Sequence, residues 1–348
     1  MYDSKNTTVL INGWGENLIK ILEKYSPKIS IVSLHDDLWY TWNDFSTWNL
    51  IYKETNIKKY DIVHMNSRFD SILFFKRKNI KYIFESHAIH PWISIKYSLL
   101  ITESFFKKII IILAYPLFKL CFLYNIRRID LYYVSIPWIA AFLDGKYQVK
   151  WLPNPVDFSN FYRKAPALKL DKIFINIFYP TGFRKIKNSE FALQLMIQLQ
   201  HRYPNIRFYL IKTHTKHLTS YFPLLKKLEK NIVWIDKIPR EKMAEWYSAN
   251  WDCIFGSFFP DEYYAILNMI ELEAMACKAP VLGHDLYEVL FEPLENMFPL
   301  ACKLIDDKEF RAQYIKRNYE YVMKVHSPES VAKKYEEDIM QLFASHKS

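Results

Sequence analysis

Glycine is scarce in this chain. Its 348 residues include six glycines, where average usage would give roughly 24. Neither a G-x-G-x-x-G fingerprint nor a Walker A loop occurs, so the two commonest glycine-built phosphate cradles are excluded. The four cysteines, Cys121, Cys253, Cys277 and Cys302, form no C-x-x-C pair. That argues against a zinc site or a disulfide framework and fits a reducing, cytoplasmic setting. No Asp-x-Asp is present, so a divalent cation bridging a diphosphate to paired aspartates has no obvious seat. The start, "MYDSKNTTVLINGWG", is too polar for a secretory signal peptide. Long apolar runs are also missing. Within 96–128 the longest uncharged stretch runs from Ile109 to Phe118 and is interrupted by Pro116, short of the about 20 residues of a spanning helix. No transmembrane span is expected.

Apolar residues are nonetheless plentiful. The chain is 51% hydrophobic and 24% charged, which is enough to build folded cores. Its formal net charge of +10 suits an anionic partner such as nucleotide phosphate, anionic lipid or nucleic acid. A lysine-rich solvated surface is the other explanation. No compact Lys/Arg run or nucleic-acid module is present, so no nucleic-acid partner is expected. The 96–128 stretch has two readings. It is a buried helical pair, or an anionic membrane surface contact through Lys107, Lys108, Lys119, Arg127 and Arg128. The second implies a protein peripheral to the inner membrane face.

Short β-branched runs alternate with helical stretches along the whole chain. "VLING", "ISIVSL", "DIVHMN", "YIFESH" and "LYYVSI" fall in the first half; "FINIFYP", "IRFYLIK", "IVWID", "CIFGSF" and "PVLGH" fall in the second. Near-continuous apolar strands of this kind belong to parallel sheets covered on both faces. The proline-containing segment 151–172 separates the two sets. The expected class is α/β, with two doubly wound parallel-sheet Rossmann-like domains facing across a cleft. Residues 1–155 make an N-terminal, acceptor-side domain and 156–326 a C-terminal, nucleotide-binding domain. Residues 327–348 read as a C-terminal helix packing back toward the N-terminal domain. In such sheets ligands sit at the carboxyl ends of the strands.

The few glycines concentrate at those ends. Gly13 and Gly15 follow the first strand, and Gly182 follows the first strand of the second half. Such turns let backbone approach a ligand closely. Arg184, Lys185 and Lys187 come next, followed by Asn188 and an expected helix start. Cations beside a helix N-terminus suit a diphosphate, and a solvated basic turn is the alternative. His87, at the end of "YIFESH", could contact a sugar or move a proton. His64, inside "DIVHMN", reads as structural.

The stretch 271–283, "ELEAMACKAPVLG", places two carboxylates at the head of a small-residue helix. Glu271 and Glu273 lie two apart and point to nearly opposite sides, so only one enters a cleft. A carboxylate there can accept hydrogen bonds from a ribose diol, or it can be an ordinary helix-start glutamate.

"LEAMACKAPVLG" resembles the signature L-E-A-M-A-x-G-x-P-V of family 4 of the GT-B nucleotide-sugar glycosyltransferases. "WLPNPVDFSNF", "GFRKIKN", "YDIVHMN", "FESHA" and "YYVSIPWIAAFL" are similar to further segments of that family, in the same order. The resemblance implies the GT-B fold and a retaining, metal-independent transfer from a nucleotide-sugar donor to a glycan, lipid-linked or protein-linked acceptor, with no cofactor. It implies that Glu273 holds the ribose and that Arg184 and Lys187 neutralise the leaving diphosphate. His87 would touch the donor sugar, with Gly13, Gly15, Gly182 and Asn188 in the donor loops. The chain departs from the family at the first glutamate of E-x7-E, where Ala265 stands. Glu262, about three helical turns before Glu273, is the expected substitute, with Asp261 beside it. A catalytically inactive nucleotide-sugar-binding protein of the same fold is the alternative that this departure raises.

Overall fold

The structure is a computed structural model. It describes residues 7–12, 16–26, 29–34, 61–66, 80–86, 99, 104–135, 137–143, 145, 147–183, 187–212, 218–258, 269–283 and 294–344. The chain divides into two compact units, Met1–Pro155 with Pro328–Ser348, and Val156–Ser327.

The first unit contains β1 (Thr7–Asn12), α1 (Glu16–Tyr25), β2 (Ile29–Leu34), β3 (Ile62–Asn66), β4 (Lys81–Ser86), α2 (Phe105–Ile126), β5 (Leu131–Val134), α3 (Pro137–Leu143) and β6 (Val149–Trp151). The strands form a parallel sheet in the order β2-β1-β3-β4-β5-β6. Its central strands are apolar on both faces, as a doubly covered sheet requires. Val63, Ile83 and Tyr133 are fully buried. Asp130 fixes the entry to β5, accepting from the Tyr82 N–H at 2.9 Å while Lys81 Nζ lies 3.4 Å from its other oxygen.

The buried helical pair, one of the two readings of 96–128, is not what forms at 105–126. A single 22-residue helix, α2, runs straight through Pro116. Proline inside a helix removes one backbone hydrogen bond, and here that loss does not end the helix. Among the described residues, α2 is the one helix long and apolar enough to cross a membrane. The lysines interrupt the apolar run without shortening the helix.

The second unit contains β7 (Ile175–Tyr179), α4 (Ser189–Arg202), β8 (Ile206–Ile211), α5 (Phe222–Leu228), β9 (Ile232–Ile235), α6 (Met243–Tyr247), β10 (Cys253–Phe255), α7 (Met269–Ala276), β11 (Val281–Leu282), α8 (Met297–Asp306) and α9 (Lys308–Val325). Its parallel sheet has the order β11-β10-β7-β8-β9. Leu193, Met196, Leu199 and Phe208 belong to one core cluster. Phe178, Trp251, Leu272 and Met275 belong to another. From β7 the chain adds strands first on one side, then on the other. The order therefore reverses between β7 and β10, where a doubly wound sheet opens a crevice at its carboxyl edge.

After α9 the chain returns to the first unit as α10 (Pro328–Ala344). Val331, Ala332, Tyr335 and Ile339 complete a core with Leu22, Ile62, Ile83, Leu131, Tyr133 and Leu152. Buried polar groups need partners, and α10 supplies them. His64 Nδ1 and the Tyr335 hydroxyl are 2.9 Å apart. Tyr133 donates to Asp338 at 3.1 Å, and Lys150 reaches the same carboxylate at 2.6 Å. His64 also lies 3.2 Å from Glu85, so it is a partnered core histidine.

Candidate functional site

The reversal point of the second sheet is framed by two loops, one after β7 and one after β10. They are stitched together. The Phe258 N–H donates to the Lys187 carbonyl at 3.2 Å, and the Phe258 ring packs on Phe191 and Phe255 with centroids 5.2 and 5.5 Å away. Asn188 begins α4 in the left-handed region (φ 49°), a conformation asparagine tolerates. Its side chain accepts from the Phe191 N–H at 3.4 Å. Tyr179, at the end of β7, donates to the Ser189 hydroxyl at 3.1 Å. Burial pushes the Tyr179 phenol far above its usual range, so it remains a donor.

Thr181 sits in the first loop, buried at 3% exposure. Its hydroxyl has no hydrogen-bond partner among the described residues. Buried hydroxyls are normally paired, so this is an unused donor and acceptor next to Gly182 and ahead of a helix N-terminus. Such an N-terminus offers unsatisfied N–H groups to an anion.

The loop after β10 holds a carboxylate. Glu271, in the first turn of α7, is 2% exposed. It accepts from the Ser257 N–H at 2.6 Å. Gly256 makes this approach geometrically feasible: a Cβ there would lie 2.6 Å from Glu271 Oε1, and one on Gly283 would lie 3.8 Å away. Gly256 also donates to the Leu282 carbonyl at 2.8 Å, which ties the ends of β10 and β11.

Glu273 lies two residues on and faces another environment. It is 3% exposed and accepts from the Arg240 guanidinium at 2.5 Å. Arg240 itself sits over the Phe161 ring, 5.4 Å from its centroid. Burial pushes the Glu273 carboxyl up to about 7, with Arg240 working against that rise. A carboxyl balanced near neutrality can both donate and accept hydrogen bonds.

Of the residues singled out from the sequence, Gly182, Lys187 and Asn188 stand together in the loop after β7, and Glu273 stands on α7. Gly13, Gly15, His87, Arg184, Glu262, Asp261 and Ala265 lie outside the described residues. Sequence reasoning missed Thr181, Arg240 and the enclosure of Glu271. One available signal was the remaining glycines, since Gly256 and Gly283 directly follow β10 and β11. A separate cavity of about 400 Å³, lined by Asn176, Asp252, Lys308 and Arg311, lies at the amino ends of β7 and β10. It is at the sheet edge opposite the loops just described.

Solved structures share this architecture. HepE from Anabaena, in complex with UDP, is 11% identical, with 96% of this chain and 100% of HepE covered at a TM-score of 0.62. WaaG, a glycosyltransferase involved in lipopolysaccharide biosynthesis, is 11% identical, with 93% and 98% covered at 0.58. TarM from S. aureus, in a complex that includes UDP, is 13% identical, with 81% and 55% covered at 0.55. The chain therefore spans only about half the length of TarM. No protein-family model and no curated protein sequence matches the chain. The fold is GT-B, as the resemblance of the signature segments implies.

Proposed function

We propose that the chain is a glycosyltransferase that moves a sugar from a nucleotide-sugar donor to a glycan, lipid-linked or protein-linked acceptor. The observation that carries this reading is the carboxyl edge of the second sheet at its reversal point. There a buried hydroxyl without a described partner, Thr181, lies on the loop that leads through Lys187 to the N-terminus of α4. Fold alone does not assign chemistry, so the reading rests on these groups. The UDP held by HepE and TarM supports it by analogy.

In this reading the donor diphosphate lies along the loop after β7. Charge develops on the departing phosphate as the glycosidic bond breaks. Lys187, Arg184 and the α4 N–H groups neutralise it, and no essential metal is required. Gly182 and Asn188 let the backbone approach. Glu273 holds the ribose diol, which a carboxyl near neutrality can meet as donor or acceptor. His87 and Glu262 contact the donor sugar, and Gly13 and Gly15 serve the first-unit loop. The anomeric configuration is retained. All four cysteines are free and buried, and we infer a cytoplasmic setting. A binding protein without turnover is the second reading, favoured by Ala265 where the resembled signature has its first glutamate.

The test is a thermal-shift screen against UDP-, GDP-, ADP- and dTDP-sugars, with and without a chelator. A ligand present at about 100 times its Kd stabilises a protein by roughly 2.7 kcal/mol. One hit that survives chelation is expected, followed by sugar release or transfer. A hit with no turnover on any acceptor or on water selects the binding protein. No hit with any nucleotide sugar sinks both readings.

A further inference from the structure

Helix α2 turns outward what a helix normally buries. Phe106 is 77% exposed and Leu113 is 74% exposed, with Ile110, Leu117 and Leu120 close behind. At about 100° per residue, Phe106, Ile110, Ile112, Leu113, Leu117 and Leu120 fill one continuous arc of about 160°. Lys107 borders the arc on one side, and Lys108 and Lys119 border it on the other. No Asp or Glu occurs from 104 to 129, and Arg127 and Arg128 close the segment. A wide apolar arc edged by lysines matches a lipid interface, where the stems enter the acyl boundary and the ammonium groups stay among phosphates.

The helix is also held in one attitude. Its last turns are seated in the fold, with Cys121, Phe122, Asn125 and Ile126 buried. Asp130 then pins the following strand to β4, its parallel neighbour. A crossing helix needs about 20 residues clear of the fold, and with Cys121, Phe122, Asn125 and Ile126 buried in the first unit the clear part of α2, Phe105–Leu120, is shorter than that. A second copy of the chain is a poor occupant, because α2 has lysines and no acidic residue to meet them across a two-fold axis.

We propose that α2 docks the first unit onto an anionic bilayer, lying in the plane of the interface with its apolar arc inserted. The inference does not depend on sugar transfer, and its test uses no nucleotide. The purified full chain is sedimented at low salt with phosphatidylcholine vesicles and with mixed phosphatidylcholine–phosphatidylglycerol vesicles. Binding to the mixed vesicles is expected. Ile110→Ser/Leu113→Ser/Leu117→Ser should weaken it by about a hundredfold or more. These side chains are all more than 60% exposed, so the core is left intact. Lys107→Gln/Lys108→Gln should weaken binding to mixed vesicles about 25-fold, at about fivefold for each lysine near the surface. The four native cysteines are buried, so a dye on Leu113→Cys reports from one place. It should shift to the blue and become protected from an aqueous quencher when vesicles are added.

Four results would overturn the proposal. They are no sedimentation of the wild type, undiminished sedimentation of the triple serine variant, and resistance to alkaline extraction, which marks a spanning helix. The fourth is a lipid-independent doubling of mass that the triple variant abolishes, which would mark a second copy on the arc.

Discussion

Helices α4 and α2 hold the same topological post in the two units. Each links two neighbouring parallel strands, α4 between β7 and β8 and α2 between β4 and β5. α4 buries Ala192, Leu193, Leu195, Met196 and Leu199 and presents Glu190, Gln194 and Gln198 to water. α2 is apolar nearly all round, and its outer half remains uncovered. A sheet can cover only one stripe of a helix, so apolar residues beyond that stripe add nothing to folding. The comparison separates apolar residues that hold the fold from those that need another use.

The largest expected effect tests that separation directly. Leu193→Ala, at a fully buried position of α4, should cost about 2–5 kcal/mol in urea unfolding. Leu113→Ala on α2 should stay within about 0.5 kcal/mol. Equal losses would mean that the α2 arc is covered in solution and would erase the contrast.

A second test asks whether the buried polar groups of the second unit serve its folding as fully as the apolar ones do. Glu273 has its carboxyl pushed up to about 7 by burial. Between its unfolded value and that pH, the folded state therefore holds the proton more tightly. Wild-type stability should fall as pH rises from about 4.5 through 7, by at most about 3 kcal/mol. Glu273→Gln should remove that slope. Urea melts across this window measure it, and parallel slopes for the two proteins would refute the assignment.

The smallest effect sharpens the functional half of the contrast. Thr181→Val removes a hydroxyl with no described partner, so stability should change by less than about 1 kcal/mol. If a donor phosphate or sugar uses that hydroxyl, donor affinity should fall up to about tenfold, read from the same thermal shifts. Unchanged affinity would remove Thr181 from the site.

The sheets could be read from the sequence because strands covered on both faces are written as apolar runs. Ile62–Val63, Ile83–Phe84 and Ile177–Phe178–Tyr179 are such runs, and all are buried. α2 could not be read in the same way. Pro116 looks like a break, and Lys107, Lys108 and Lys119 divide the run, yet backbone continuity depends on neither. The carboxylates on α7 were legible as residues but not as environments. Helical spacing separates Glu271 from Glu273, but it does not say that Gly256 clears space for one or that Arg240 meets the other. Arg240 lies 33 positions from Glu273, in a segment without helical period, and only the tertiary fold joins them.

Helix α10 has a consequence for the order in which the molecule is made. Val331, Ala332, Tyr335 and Ile339 complete the core of the first unit, yet they leave the ribosome after the whole of the second. The second unit is one continuous stretch, Val156–Ser327, and its chain is whole before α10 has been synthesised. Until α10 arrives, the core that Leu22 of α1 shares with Ile62, Ile83 and Leu131 stays incomplete. Synthesis from the N-terminus usually lets the first domain fold first; here the first unit cannot complete its core until the chain of the second has been made.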